Sequence, residues 1–139
     1  MLTCVIRYQI DPTKKAQFEE YARNWGQAIP RCGADLVGYY APHEGSSTLA
    51  YGIYNVRSLA DYEAYREILA ADPLGRENYE FAQREKFLLR EDRTFLKRAS
   101  APHSALMSKL TSASNIIIDP SSPFSRRGLQ DLGRIKMRT

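Results

Sequence analysis

Apolar and polar positions alternate in some stretches of residues 1–98 and recur every three or four residues in others. Strict alternation is typical of half-buried strands, and the longer spacing is typical of amphipathic helices. The pattern predicts strands over about 2–9, 35–41, 48–56 and 86–96. It predicts helices from about 12 to 29, from about 58 to 70, and from 73 up to the last strand.

Each helix start also carries a local signal. Asp11-Pro12 and Asp72-Pro73 each put a carboxylate that can accept amide hydrogen bonds before a proline, which needs no partner at the first helical position. Ser58 and Asp61 have the spacing of a capping box, with Asp61 in place of the usual Glu. The local signals and the longer pattern therefore agree on all three helices.

The order of elements predicts the fold class. Strand, helix, strand, strand, two-piece helix and strand is the split βαβ order of an α+β, ferredoxin-like βαββαβ sandwich. We expect an antiparallel four-stranded sheet with the helices on one face. Leu2, Cys4, Ile6 and Tyr8 should face the helices. The residues predicted to fill the core from the helix side are Phe18, Tyr21, Ala22, Trp25, Ala28, Ile29, Leu59, Tyr62, Ile68, Leu69, Leu74, Phe81 and Ala82.

The second face of such a sheet would be left open. It should carry large apolar and aromatic side chains from the second and third strands, and patches of that kind usually mark an interaction surface. We expect a twofold homodimer whose two sheets pack face to face around a cavity, which is a dimeric α/β barrel. The alternative is a monomer whose open face is partly wet.

Composition divides the 139 residues into a predicted domain, 1–98, and a predicted tail, 99–139. The domain is neutral, with 14 basic and 14 acidic residues, whereas the tail has six basic and two acidic ones. The net charge of +4 therefore belongs to the tail and does not indicate a nucleic-acid-binding domain. The tail has eight serines and no Trp or Tyr, which is typical of a flexible appendage.

Location is suggested by what the chain lacks. Cys4 and Cys32 have neither C-x-x-C nor metal-ligand spacing, which favours free thiols in a reducing cytoplasm. No apolar run approaches the roughly 20 residues that span a bilayer. The first residues also lack the basic and long apolar regions of a secretory signal. We therefore expect a cytoplasmic protein that does not bind membranes.

Residues 38–45 contain the sharpest candidate chemistry, His43 beside Glu44 in the predicted hairpin loop between the second and third strands. An imidazole titrates near neutral pH and can act as a general acid or base. Three interpretations stay open for His43: it shapes the loop, it contacts a ligand, or it transfers a proton as the catalytic residue. Glu44 is included as a ligand-binding candidate.

Arg7, Tyr40 and Tyr51 complete the predicted ligand-binding set. Arg7 should lie on the open face, where its guanidinium would need an anionic partner from a ligand or from the protein. Tyr39 and Tyr40 must point to opposite faces, and we expect Tyr40, which shares parity with Gly38 and Leu36, to enter the cavity between the sheets. Tyr51 is the candidate from the third strand, although strand tyrosines more often serve packing.

No motif indicates a cofactor. The sequence has no pattern typical of a Ser-His-Asp triad, no G-x-G-x-x-G motif and no phosphate-binding loop. Two histidines and two scattered cysteines make a zinc site improbable, and the loop position of His43 argues against haem ligation. We therefore predict no metal and no cofactor, and leave open whether the protein is an enzyme.

Several segments of residues 1–98 resemble the NIPSNAP family. They are Thr3-Cys4-Val5-Ile6-Arg7-Tyr8, Phe18-x-x-Tyr21-x-x-x-Trp25, Gly33-Ala34-Asp35-Leu36-Val37-Gly38-Tyr39-Tyr40, Ser58-Leu59-x-x-Tyr62-x-x-Tyr65 and Phe87-Leu88-Leu89-Arg90. The resemblance implies a dimeric α/β barrel with a ferredoxin-like subunit, distantly similar to small cofactor-free monooxygenases. Bacterial members are generally proteins of unassigned function.

Three hypotheses for function follow. The first is a dimeric module that binds a small, apolar or carboxylated molecule between the two sheets. The second is a cofactor-independent monooxygenase or isomerase that uses His43 and cavity residues. The third is a protein-interaction scaffold whose basic tail is the contact arm.

Overall fold

The computed structural model describes residues 1–100. The predicted tail, apart from its first two residues, lies outside the described residues, so its role stays a prediction. The predicted order of elements is confirmed. The elements are β1 (Leu2–Ile10), a 3-10 turn (Pro12–Lys14), α1 (Lys15–Arg31), β2 (Asp35–Tyr40), β3 (Leu49–Val56), α2 (Leu59–Ala71), α3 (Pro73–Glu85) and β4 (Leu88–Leu96).

The four strands form one antiparallel sheet in the order β2-β3-β1-β4. This is the ferredoxin-like arrangement, with the three helices on one face of the sheet. Cys4 lies opposite Tyr54 of β3 and Phe95 of β4, so these side chains share the face that the helices cover. Ile6 and Tyr8 follow the same parity and are almost fully buried, as predicted. We call this the covered face and the other the open face.

All three predicted helix-start signals form in the structure. Asp11 accepts a hydrogen bond from the Thr13 amide in the 3-10 turn that precedes α1, Ser58 Oγ accepts from the Asp61 amide of α2, and Asp72 accepts from the Gly75 amide of α3. The donor to acceptor distances are 2.9, 3.1 and 2.9 Å. These contacts satisfy amides that have no partner inside the helix.

The end of α1 differs in part from the prediction. Pro30 lies inside the helix, in its last turn, and does not end it. The helix ends at Arg31, and the chain turns away at Gly33, where φ is +106° and after which the Ala34 amide donates back to the Ile29 carbonyl at 3.3 Å. Glycine suits this left-handed position because it has no Cβ to clash with the backbone.

The core lies between the covered face and the helices. Phe18, Tyr21 and Trp25 of α1 are buried in it, as predicted. The prediction was wrong for Leu59 and Ile68 of α2, whose side chains are 56% and 54% exposed. Ile68 sits one residue, about 100°, around the helix from the buried Leu69, and Leu59 is the first residue of α2.

Tyr39 and Tyr40 lie on opposite faces, as predicted. Tyr39 pairs with Gly52 on the covered face, and Tyr40 pairs with Tyr51 on the open face. The parity that linked Leu36 to Tyr40 was wrong, because the register shifts between Leu36 and Gly38. The extra residue is a β-bulge, and it puts Leu36 on the covered face opposite Tyr54.

A membrane-spanning helix is not among the described elements. None of the helices within residues 1–100 has both the length and the apolar character needed to cross a bilayer.

Candidate functional site

A cavity of about 460 Å³ lies between the covered face and the three helices. Its floor consists of strand side chains, including Tyr8, Tyr54 and Arg93, and its inner wall is the buried stripe of α1. Four of the five lining residues that are exposed to solvent belong to α2 and α3, and the fifth, Glu91, belongs to β4. The mouth therefore opens mainly between these two helices. The volume is in the range of small-molecule sites, about 300–1,000 Å³.

Three tyrosines from β1, α1 and β2 line the interior together. The hydroxyls of Tyr8 and Tyr39 are 3.3 Å apart, and the Tyr21 ring centroid lies 6.1 Å from each of the other two. Burial raises the pKa of Tyr8 and Tyr39 well above the ordinary phenol value, and neighbouring phenols add to the effect. Burial also raises the pKa of Tyr21, partly offset by Trp25 and Tyr8. All three therefore stay protonated at physiological pH and can donate hydrogen bonds.

Trp25 of α1 supplies a further donor to the same cavity. Its side chain is 7% exposed, and its Nε1 has no hydrogen-bond partner within residues 1–100. The indole packs edge-on against Tyr21, with ring centroids 5.5 Å apart. Although Trp25 lies near enough to the Tyr21 hydroxyl to affect its pKa, no acceptor is in position to bond with the indole N–H. A buried donor without a partner costs about 1–3 kcal/mol.

Arg93 of β4 brings a charge onto the covered face. It lies opposite Ile6, donates from Nη1 to the Tyr62 hydroxyl at 2.9 Å, and donates from Nη2 to Glu91 at 3.0 Å. Its Nε is buried and has no partner among the described residues. Burial disfavours the charge, but the oxygens of Tyr54, Tyr62 and Glu91 outweigh it and raise the pKa of Arg93. The guanidinium therefore remains charged, next to a neutralising carboxylate.

Arg66 of α2 and Arg76 of α3 line the mouth, together with Ala70 and Tyr79. These four residues are exposed. The Arg66 guanidinium lies 6.0 Å above the Tyr62 ring. Within the described residues, neither arginine has a carboxylate within ion-pair distance.

The structure brings three of the sequence-predicted site residues into one row on the open face. Tyr40 lies opposite Tyr51, Tyr51 lies opposite Arg7, and Arg7 lies opposite Asp92. The Arg7 guanidinium is 3.5 Å from the Asp92 carboxylate, which fits the ion-pair alternative, and a shallower cavity of about 280 Å³ borders it. A ligand role for Arg7, Tyr40 and Tyr51 stays a prediction.

His43 and Glu44 do not belong to this row. Both are exposed in the loop between β2 and β3, and they line neither of the two cavities. They also make no side-chain hydrogen bond with another described residue. The catalytic role of His43 and the ligand-binding roles of both residues stay predictions.

Sequence reasoning had assigned Trp25 and Tyr21 to the core and gave Arg93 no role. One signal in β4 could have identified the cavity. Glu91 and Arg93 share the parity of Phe95, and that parity faces the helices. Charged residues at positions that alternate toward a core indicate a polar site between the layers. Among residues 1–100, His, Cys, Asp and Glu side chains form no group of three that could hold a metal ion.

Solved structures of other proteins share this fold. A NIPSNAP domain protein from Burkholderia xenovorans is 26% identical, with a TM-score of 0.58 over 73% of this chain and 99% of that one. A NIPSNAP family protein of unknown function from Agrobacterium tumefaciens is 19% identical, with a TM-score of 0.62 over 74% and 92%. A putative antibiotic biosynthesis monooxygenase from Nitrosomonas europaea is 12% identical, with a TM-score of 0.57 over 72% and 100%.

The last two likenesses show the fold alone. No functionally curated protein matches the chain in sequence. The family model for NIPSNAP matches residues 4–102, which include the whole sheet apart from its first two residues and all three helices. The chain therefore belongs to the NIPSNAP family.

Proposed function

We propose that the protein binds a small organic molecule in the cavity between the covered face and the helices. The observation that carries this proposal is a pair of buried donors, Trp25 Nε1 and Arg93 Nε, which have no acceptor within residues 1–100. Both residues line the same cavity. Because unpartnered buried donors are costly, a bound acceptor oxygen would add affinity there.

The chemistry of the walls favours a particular kind of molecule. Protonated phenols of Tyr8, Tyr21 and Tyr39 add donors and aromatic surface, whereas the carboxylate of Glu91 is already engaged by Arg93. Such a site suits a flat apolar body with a carbonyl or similar acceptor. This location differs from the predicted one between two sheets.

Occlusion of the mouth tests the proposal. Ala70→Trp should fill the entrance from an exposed position, whereas Ala64→Trp puts the same side chain on an exposed part of α2 that does not line the cavity. Calorimetric titration with naphthalene carboxamide should give saturable binding of about one molecule per chain. Because the entrance is narrowed, Ala70→Trp should raise the dissociation constant at least about tenfold, whereas Ala64→Trp should change it less than about twofold. Absence of binding, or equal binding by both variants, would contradict the proposal.

Catalysis is the second candidate function. The fold likeness to the Nitrosomonas europaea protein suggests a cofactor-independent monooxygenase or isomerase, and Glu91 beside protonated phenols is a possible acid/base set. For any ligand that the cavity turns over, Glu91→Gln should lower kcat by about 100-fold or more. His43→Ala is the test of the loop alternative, and the same loss there would move the chemistry to His43.

We also propose a homodimer through the open face. Tyr40, Leu49 and Leu96 are 50%, 41% and 51% exposed, which is unusual for large apolar side chains on one sheet face. Light scattering at micromolar concentration should give the mass of two chains. Ile53→Lys on the open face should give one chain, and Ile68→Lys on α2 should leave the dimer intact. A monomeric wild type would remove this proposal and the predicted site between two sheets.

Two smaller proposals complete the account. A cytoplasmic location is supported by Cys4 and Cys32, which are both buried and free. The protein-interaction scaffold depends on the basic tail, which lies outside the described residues. Deletion of residues 99–139 should abolish partner binding and leave the dimer intact if that alternative is correct.

A further inference from the structure

We propose that the ligand of this cavity is an organic anion whose apolar body lies inside and whose negative group sits at the mouth between Arg66 and Arg76. This inference rests on the proposed function and specifies the ligand class. It starts from the position of the two arginines. They come from different helices, line one cavity and are both solvent-exposed, so an anion could reach them directly from water.

The charges around the cavity do not cancel. Its lining contains three arginines and one carboxylate, Glu91. Glu91 bonds to Arg93 at 3.0 Å, so these two charges neutralise each other. Arg66 and Arg76 have no such partner within residues 1–100. Among the lining residues, the charges of Arg66 and Arg76 are therefore the two that remain without a neutralising partner.

The carboxylate at the junction of α2 and α3 is otherwise engaged. Asp72, at the junction of α2 and α3, bonds to Arg31 at 2.8 Å and to the Gly75 amide at 2.9 Å. Because it is already paired, Asp72 is not the partner of Arg66 or Arg76. Because guanidinium groups bind carboxylates through two parallel hydrogen bonds, two of them can fix the orientation of a single anionic group.

The positive mouth is a local feature and does not reflect the charge of the domain. Residues 1–98 have equal numbers of basic and acidic side chains. A polyanion such as a nucleic acid would need a broad basic surface, whereas here the charge borders a cavity of about 460 Å³. The geometry therefore fits a small anion with an apolar body.

A matched pair of probes tests this inference. Naphthalene carboxylate and naphthalene carboxamide with the same ring position have almost the same shape and differ in charge. In calorimetric titration at low salt, the wild type should bind the carboxylate at least about tenfold more tightly than the carboxamide, because charge-assisted hydrogen bonds are the stronger ones. High salt should reduce this preference and leave carboxamide binding unchanged.

The double variant R66Q/R76Q should lose the preference and bind the carboxamide as the wild type does. The control variant R23Q/R84Q removes two exposed arginines that do not line the cavity and should keep the preference. Arg84 is a close match for Arg66, because it also lies over an aromatic ring, that of Phe81 at 5.9 Å.

The outcomes separate this inference from the proposed function. Carboxamide binding that Ala70→Trp blocks, without a carboxylate preference, would overturn the inference and keep the proposed function. A preference that survives in R66Q/R76Q would also overturn it, since the anion would then bind elsewhere, for example at Arg93. If neither probe binds the wild type, the proposed function fails, and the inference fails with it.

Discussion

Each face of the sheet has a tyrosine ring beside a strand glycine, and the two pairs differ in how firmly they are held. On the covered face, a Cβ added to Gly52 would lie 2.7 Å from the Tyr39 ring. On the open face, a Cβ added to Gly38 would lie 3.3 Å from the Tyr40 hydroxyl. Tyr39 is fixed by its contact with the Tyr8 hydroxyl and by the core around it, whereas Tyr40 is half exposed.

The difference teaches that the same local pattern serves two purposes. On the covered face it closes a packed layer that also encloses the cavity. On the open face it leaves a half-exposed aromatic side chain that is available for contact with another molecule. If this comparison is correct, substitutions on the covered face should lower stability, and matched ones on the open face should have little effect on the single chain.

The largest effect is expected at Phe18, which is fully buried and packs between Tyr8 and Phe87. Phe18→Ala should lower the free energy of unfolding by about 3–5 kcal/mol, because it removes buried apolar surface and leaves a cavity. Tyr40→Ala, which removes a half-exposed aromatic ring from the open face, should cost less than about 1 kcal/mol. Guanidinium unfolding of both variants in the Ile53→Lys background measures this without a contribution from a dimer. Similar losses would break the comparison.

The next largest effect on stability is expected at Gly52, compared with Gly38 on the open face. Gly52→Ala forces the added methyl against a ring that cannot move, so we expect a loss of about 1–3 kcal/mol. Gly38→Ala meets only the far end of an exposed side chain, and it should change the free energy of unfolding by less than about 0.5 kcal/mol. Thermal unfolding followed by circular dichroism measures both. A larger loss for Gly38→Ala would mean that Tyr40 is held as firmly as Tyr39.

The smallest expected effect concerns two ion pairs. Asp72 on the helix side is 12% exposed, whereas Asp92 on the open face is 39% exposed. Hydrogen bonds from Arg31 and from the Gly75 amide lower the pKa of Asp72. Its stabilising contribution is therefore fully present above the unfolded pKa, about 3.9, and is lost as the pH falls through the lower folded value.

Melting temperatures of Asp72→Asn and Asp92→Asn against pH check this. Asp72→Asn should lower the melting temperature most at pH near 7, and the difference from the wild type should shrink below about pH 4. Asp92→Asn should change it little at neutral pH, as exposed pairs usually contribute under about 1 kcal/mol. A difference for Asp72→Asn that stays constant down to low pH would show that its charge is not the cause.

The fold could be predicted because its signals are local. Ser58 and Asp72 begin α2 and α3, and Asp11 begins the 3-10 turn before α1, through contacts with amides two or three residues away, and such contacts depend on sequence spacing alone. Strand alternation in β1 predicted the covered face for the same reason. In the sheet, the error arose where parity depends on a partner strand, at the bulge that places Leu36 on the covered face.

The candidate site was harder to predict because a cavity is the space that several elements leave unfilled. Trp25 has the spacing of a core residue and is one, yet its N–H has no partner among the described residues. Nothing in the spacing of α1 reveals that. Arg7, Tyr40 and Tyr51 were predicted as a group, and they do form a row, because strand pairing follows from the predicted topology.

The exposed mouth has a consequence for how this family changes over evolutionary time. Arg66, Ala70, Arg76 and Tyr79 border the cavity yet contribute little to the buried core. Exposed positions of this kind usually tolerate substitution within about 0.5 kcal/mol. If the proposed ligand site is correct, a few changes on α2 and α3 would exchange one ligand for another, while the sheet and α1 continue to specify the same fold. Divergence of specificity without loss of folding is the expected history of such a scaffold.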